Sequence, residues 1–333
     1  MNYVLLISNP NSGYFRQAVK AGKLLKRFMS LSNTAFAQNP KPFLKWVGGK
    51  TQLINELDKL ISHHMSKYNT YTYIEPFVGG GAVLFYILSN FPQINNIIIN
   101  DINSNLISTY KLIKEDYRKL VLVLAEIEKT YYSLTSLENK QQFYLAKRDE
   151  FNQQDSEFSL VNKTALMLFL NKTCFNGLYR VNKKGKFNVP FGKYKEPKIC
   201  NVDNIISVHY HLQNVKISQG DFTETIRYAQ EPTLFYLDPP YKPINDTSAF
   251  TSYSLENFND QDQLRLKNFC DQIHINGHYF ILSNSDVKNF NHENTFFDDL
   301  YQGYNIKRVK ARRNINSKGD CRGELFELLI SNF

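Results

Sequence analysis

The run Thr70-Tyr71-Thr72-Tyr73-Ile74-Glu75-Pro76-Phe77-Val78-Gly79-Gly80-Gly81 decides the fold. Residues 70–77 are aromatic and β-branched, which predicts a strand. The three glycines make a turn, residues 82–88 are an apolar helix, and residues 97–100 form a second short buried strand that ends at Asp101. Strand, glycine-rich turn, helix, strand is a parallel βαβ unit. In open α/β sheets ligands bind at the carboxyl ends of the strands, and glycines there let the backbone approach a ligand. Asp101 stands at the tip of the next strand, where a carboxylate can accept hydrogen bonds from both hydroxyls of a ribose. The third glycine of a dinucleotide fingerprint is missing, with Leu84 in its place. That fits a nucleoside cofactor without a pyrophosphate, although a tight strand-to-helix turn would look similar.

Working outward, Leu53, Ile54, Leu57, Leu60 and Ile61 predict a helix over 50–66. Residues 104–170 predict helices at 106–113, 119–128, 138–150 and 163–170, with no strand between them. Residues 171–194 are basic, aromatic and punctuated by glycine, and 181–189 predict a hairpin turning at Lys184-Gly185. The α/β pattern then returns. Strands are expected at 215–218, 234–237, 279–282, near 304–312 and at 324–331, with helices near 223–230 and at 260–273. The expectation is an α/β protein: a doubly wound, Rossmann-like sheet built from residues 41–103 and 214–333, with residues 104–213 inserted as a helical and hairpin recognition module. Residues 1–40 carry five basic residues and no acid. Their apolar run precedes the charges, the reverse of a signal peptide, and they read as a dispensable basic extension.

Of the 333 residues 42% are hydrophobic and 21% charged, enough apolar side chains for a substantial core. The net charge of +9 is clustered: windows 1–40, 171–198 and 303–322 carry +5, +7 and +6, so the remainder is net −9. Separated basic segments on an acidic body suit a polyanionic partner. No apolar run reaches the length of about 18 residues that spans a membrane. Cys174, Cys200, Cys270 and Cys321 form no Cys-x-x-Cys pair and read as reduced thiols of a cytoplasmic protein. His209 and His211 alternate as residues on the two sides of a strand do, so they point apart rather than gripping one metal, and no metal is expected.

A second signal is Asp238-Pro239-Pro240-Tyr241, directly after the apolar strand Leu234-Phe235-Tyr236-Leu237. Two prolines make a rigid loop without N–H groups at a strand's carboxyl end. Asp238 and the Pro239 carbonyl are two acceptors that can hold an exocyclic amine by its two hydrogens, and Tyr241 can stack on the ring that bears it.

With these motifs the chain resembles the Dam-type DNA adenine-N6 methyltransferases, class D12 of the alpha group of amino-methyltransferases. The resemblance spans about residues 42–333. It rests on Phe43-Leu44-Lys45-Trp46-Val47-Gly48-Gly49-Lys50, the Glu75 to Gly81 loop, Asp101-Ile102-Asn103-Ser104, Phe175-Asn176-Gly177-Leu178-Tyr179-Arg180, and Phe187-Asn188-Val189-Pro190-Phe191-Gly192-Lys193-Tyr194. The Asp238 to Tyr241 loop, Phe250-Thr251-Ser252-Tyr253, Leu282-Ser283-Asn284 and Arg312-Arg313-Asn314-Ile315-Asn316-Ser317 follow in order.

The resemblance implies a methyl transfer from S-adenosylmethionine to N6 of adenine in duplex DNA, at GATC, with the base flipped out and attacking in line. It implies a cofactor site of Trp46, Lys50, Glu75, Phe77, Gly79, Gly81, Asp101, Asp221, Phe222 and Asp238, and a catalytic loop of Asp238, Pro239 and Tyr241. It implies base contacts from Lys45, Leu178, Arg180, Pro190 and Tyr194, with Phe175 and Asn176 entering the stack and Lys193 on a phosphate. Arg180 suits bidentate reading of guanine, or else a phosphate clamp. A monomer is expected. Other readings are a silent DNA-binding protein on the same fold, an enzyme with another recognition sequence, or methylation of RNA or small molecules; a nicotinamide oxidoreductase has no use for the Pro-Pro loop. A solitary enzyme, a restriction partner and a phage protein would read alike.

Overall fold

The computed structural model describes residues 38–46, 50, 53–153, 159–241, 258–289, 291–312 and 324–333. The extension up to residue 37, Val47-Gly48-Gly49, Cys321, the Phe250 to Tyr253 run and the Arg313 to Ser317 run lie outside the described residues.

Strands β1 (Tyr71–Glu75) and β4 (Thr233–Leu237) are buried along their whole length, as central parallel strands covered on both faces are. β2 (Ile94–Asp101) pairs parallel with β1 and with β3 (Val215–Gln219), and β5 (Tyr279–Ser285) pairs parallel with β4. β7 (Glu324–Ser331) then runs antiparallel between β5 and the edge strand β6 (Asn305–Arg312), giving the order β3-β2-β1-β4-β5-β7-β6. This is the Rossmann-like methyltransferase architecture that the sequence predicts. In register, Ile98, Ile74, Phe235 and Phe280 form one row across four strands. The row faces a helix, α7 (Asp260–Ile275), whose Phe269 ring meets Phe235 edge-on at 5.8 Å. The alternate residues Tyr73, Leu234, Tyr236 and Ile281 belong to a larger core on the other face, which runs on into the inserted helices.

Helix α1 (Ile54–Met65) turns Leu57, Ile61 and Met65 inward, and α2 (Ala82–Asn90) closes the βαβ unit. The separate helices read at 106–113 and 119–128 are one helix, α3 (Ser104–Ser133), bent at Asp116, where φ is −144° and ψ 55°. Its first half lies on the sheet: the Tyr110 hydroxyl donates to the Gly79 carbonyl at 3.1 Å and Lys114 Nζ to the Val215 carbonyl at 2.7 Å. Beyond the bend it packs with α4 (Leu137–Asn152) and α5 (Leu160–Thr173). The expected hairpin is short: Val181 bridges Phe187 around a turn in which Gly185 has φ 71°.

His209 and His211 are not on a strand. They end helix α6 (Val202–Leu212), whose Ile205, Ile206, Val208 and Leu212 are buried. His209 Nδ1 bonds the Ile113 carbonyl at 3.0 Å, and His211 Nδ1 the Ser207 carbonyl at 2.8 Å. Among the described residues no group of three or more His, Cys, Asp and Glu could hold a metal, and no helix is long and apolar enough to cross a membrane.

Candidate active site

The carboxyl ends of β1, β2 and β4 lie side by side, so their loops converge. At the end of β4, Asp238 meets Lys50, whose side chain is only 3% exposed. Lys50 Nζ lies 2.8 Å from Asp238 Oδ1, donates to the Tyr241 hydroxyl at 2.5 Å and sits 4.4 Å from the centre of that ring. Ser283 Oγ, on β5, also donates to Asp238 Oδ1, at 3.2 Å. Both of these partners fall on Oδ1; no hydrogen bond from a described residue reaches Oδ2, and the Asp238 side chain remains 21% exposed.

A second carboxylate completes this group. Glu327 on β7 has Oε2 3.7 Å from Lys50 Nζ, and that buried oxygen has no hydrogen-bond partner among the described residues. Burial would lower the Lys50 pKa, but the charges of Asp238, Tyr241 and Glu327 more than offset it, so the ammonium persists above the usual lysine range. Burial raises Asp238, against the pull of Lys50. The 2.8 Å contact and the partial exposure of Asp238 favour the ionised pair.

Around the first loop, Asp101 Oδ2 accepts from Gly79 N at 3.1 Å and Oδ1 from Asn103 N at 2.9 Å. Burial pushes its carboxyl up to about 6, while these backbone N–H groups oppose the shift. Glu75 is fully buried and accepts from the Tyr73 hydroxyl at 2.9 Å. Burial lifts its carboxyl well above the ordinary range; Tyr73 opposes this, and the charges of Asp238 and Asp101 add to it. Gly79 and Gly81 have φ of 48° and 76°. A Cβ on Gly79 would lie 2.9 Å from Trp46, and one on Gly81 2.5 Å from the Tyr110 hydroxyl. The glycines thus admit the protein's own aromatic side chains, a close approach that the sequence reading reserved for a ligand. Trp46 in turn stacks on Tyr179, centroids 5.3 Å apart. Phe77 and Phe222 lie 5.1 Å apart, and Ile102, beside Asp101, is an apolar side chain 62% exposed. Asp221 is already engaged: it accepts from Thr223 N at 3.0 Å and pairs with Arg265 at 2.9 Å.

The residues expected to read DNA come together from three stretches of chain. Phe175 N donates to the Pro190 carbonyl at 2.8 Å, and Lys45 Nζ lies 4.5 Å over the Tyr194 ring. Phe175 is 51% exposed; Lys45, Asn176, Pro190 and Lys193 are exposed, and Leu178 and Tyr194 half-buried. Asn176 and Lys193 are the described non-glycine residues with positive φ, 55° and 54°, a backbone state that clusters at functional sites. Arg180 is held by Asn188: Nε donates to Oδ1 at 2.8 Å. Cys174 beneath them is buried, and burial pushes its thiol up to about 12, which removes it as a nucleophile at neutral pH.

Sequence reasoning missed Glu327 and Asn171, and gave Tyr179 and Asn188 no role although both stand in the quoted motifs. An acid inside the apolar run Leu325-Phe326-Glu327-Leu328-Leu329 and an Asn at the end of the apolar α5 were the available signals.

The fold and this arrangement are those of a DNA-modifying methyltransferase, and comparison with known proteins agrees. The family model of the D12 class N6 adenine-specific DNA methyltransferases matches residues 46–315, and the chain belongs to that family. It is 46% identical to a type II methyltransferase, M.MjaIII, of Methanocaldococcus jannaschii, over 88% of this chain and 99% of that protein. It is 37% identical to the type II methyltransferase M1.LlaDCHI of Lactococcus lactis subsp. cremoris, over 89% and 96%. It is 31% identical to the DNA adenine methylase of Escherichia coli strain K12, over 87% and 94%. The protein is therefore an adenine-specific DNA methyltransferase with S-adenosylmethionine as methyl donor.

Proposed function

We propose that the protein methylates adenine N6 within GATC in double-stranded DNA, taking the target base out of the stack. The observation that carries this reading is Asp238, clamped through Oδ1 at the carboxyl end of β4, with no hydrogen bond from a described residue on Oδ2. An exocyclic amine needs two acceptors; Asp238 Oδ2 and the Pro239 carbonyl supply them, and Tyr241 offers the stacking face. A base inside a duplex cannot reach this loop, so it is flipped. Phe175, exposed on its left-handed turn with Asn176, fills the space the base leaves.

The residues present fit S-adenosylmethionine. Asp238 and Asp101 lie close enough to raise the pKa of Glu75, and Glu75 and Asp238 that of Tyr73, so this acidic group would welcome a cation. Asp101 would hold the ribose, with Ile102, Phe77 and Phe222 as apolar surface and Trp46, Gly79, Gly81 and Lys50 shaping the site. The cofactor supplies a methyl group on a sulfonium. Asp238 stabilises the positive charge that grows on N6, an electrostatic role that needs no covalent enzyme intermediate. Asp221 is assigned to the adenine amine, for which its pairing with Arg265 must loosen or be shared.

Lys45, Leu178, Arg180, Pro190 and Tyr194 read the bases, and Lys193 with the neighbouring lysines meets phosphates. Residues 104–213 act as the recognition module of residues 41–103 and 214–333. The three described cysteines are buried free thiols, in keeping with a cytoplasmic setting, and a monomer suffices for this reader. The two relatives named type II methyltransferases support a restriction-linked setting.

Base-resolved mapping of N6-methyladenine, in DNA of a host that lacks the modification and expresses this protein, tests the reading. Methylation confined to GATC is expected; another motif overturns the assigned recognition, and no methylation overturns the whole reading. A second test uses pH. Only the ionised Asp101 carboxylate offers both of its oxygens as acceptors to the two ribose hydroxyls, and its pKa of about 6 lies inside an accessible range. Cofactor affinity should be flat above that value and weaken about tenfold per pH unit below it, as protons compete for the carboxylate. Asp101→Asn should be weak at all pH. Calorimetric titration that finds equal affinity from about pH 8 to about pH 5 would remove Asp101 from the cofactor site.

A further inference from the structure

We infer that Asn171 is a positioning residue for sequence discrimination, fixing the backbone of Lys45 to the turn that carries Phe175 and Asn176. The inference rests on the recognition roles proposed above. Asn171 ends α5 and is 1% exposed. Its Oδ1 accepts from Lys45 N at 2.8 Å. Its Nδ2 donates to the Lys45 carbonyl at 2.8 Å and to the Gly177 carbonyl at 3.0 Å. One amide side chain thus pairs with both polar groups of a residue 126 positions away, as a neighbouring strand would, and uses its remaining hydrogen on the recognition turn.

Nothing else could fill this place by size and chemistry alone. Leu shares the branched shape but leaves one backbone N–H and two carbonyls unpaired; Asp keeps the Lys45 N–H but turns a carboxylate towards two carbonyls. The junction is also tight: a Cβ on Gly177 would fall 2.2 Å from Lys45 Cδ. Lys45 and the Phe175 to Leu178 turn come from distant parts of the chain, and both reach the DNA face. Their relative register, on which simultaneous contact with neighbouring bases depends, is set by the Asn171 amide. Trp46, the next residue, packs against Gly79 and Gly80, so the clamp sits one residue from the cofactor loop without touching it.

The test is a comparison of kcat/KM on a cognate duplex and on duplexes with one base of the site replaced, for wild type, Asn171→Ala and Asn171→Asp. Wild type must discriminate; if it does not, the recognition reading itself fails. Both variants are expected to lose about tenfold or more of the discrimination ratio, the size of one base contact, with cofactor affinity held within about threefold. Should Asn171→Ala not fold, Asn171→Asp carries the same measurement at lower temperature. A variant that melts earlier but keeps the wild-type ratio would show that Asn171 only supports the fold, and would overturn the inference.

Discussion

Asp238→Ala should abolish methyl transfer while DNA binding stays within a few fold. The substitution removes the Oδ2 acceptor and the charge that balances the developing positive N6. Loss of a single preorganised electrostatic contact reduces kcat by about 10² to 10³, and here the same group also orients the nucleophile, which places the expected loss at the upper end or beyond. Asp238→Asn separates the two contributions. It keeps an acceptor and the side-chain volume but not the charge, so it should retain more activity than Asp238→Ala and still fall far below wild type. Single-turnover rates with enzyme in excess over DNA, alongside a filter-binding curve, decide this. Turnover above about one per cent of wild type in Asp238→Ala would contradict the role.

Lys50→Met should cost both activity and stability. It leaves Asp238 and Glu327 facing each other without the cation that lies 2.8 Å and 3.7 Å from them. Breaking a buried ion pair by removing one partner costs about 3–5 kcal/mol. The 21% exposure of both carboxylates brings the expectation to the lower end of that range. The informative comparison is the double variant with Glu327→Gln. Removing one of the two stranded carboxylates should recover part of the lost stability, so the two substitutions should be non-additive in urea denaturation. Strict additivity would mean that Glu327 is not coupled to Lys50. Activity should not return in the double variant, because Asp238 still lacks its positioning cation.

The strands and the rigid Asp238-Pro239-Pro240-Tyr241 loop were legible because both are written locally. β1 and β4 are rich in aromatic, β-branched and aliphatic residues that suit a central strand, and a carboxylate followed by two prolines at such a strand's end has few other uses. Lys50 was legible only as a neighbour of the site. What fixes it is a pair of acids 188 and more positions along the chain, and no local pattern reports such a distance. Glu327 stayed hidden for the same reason. Its side chain reaches Lys50 only because β7 inserts antiparallel beside β5 with Glu327 opposite Ser285. The alternate spacing of His209 and His211 misled, because it suits a strand as well as a helix end; Ile205, Ile206 and Val208 instead form the buried stripe of α6. At Asp116 the charged stretch Lys114-Glu115-Asp116 interrupts the helical apolar pattern. The helix continues because Tyr117, Leu120, Val121 and Leu124 start a new buried stripe after the bend.

That bent helix bears on how new specificities can arise in this family. α3 leaves the Asp101 loop, crosses the sheet and enters the inserted helices as one piece of 30 residues, roughly 45 Å of continuous backbone at the usual rise. A recombination event that exchanged the whole insert between relatives would cut through this helix or carry along Tyr110 and Lys114, which are bonded to the glycine loop and to β3. Either outcome disturbs the catalytic half. The exposed turns around Phe175 and Lys193 carry no such penalty. Under the recognition roles proposed above, point changes on those turns would alter specificity and leave the bonds of Tyr110 and Lys114 intact.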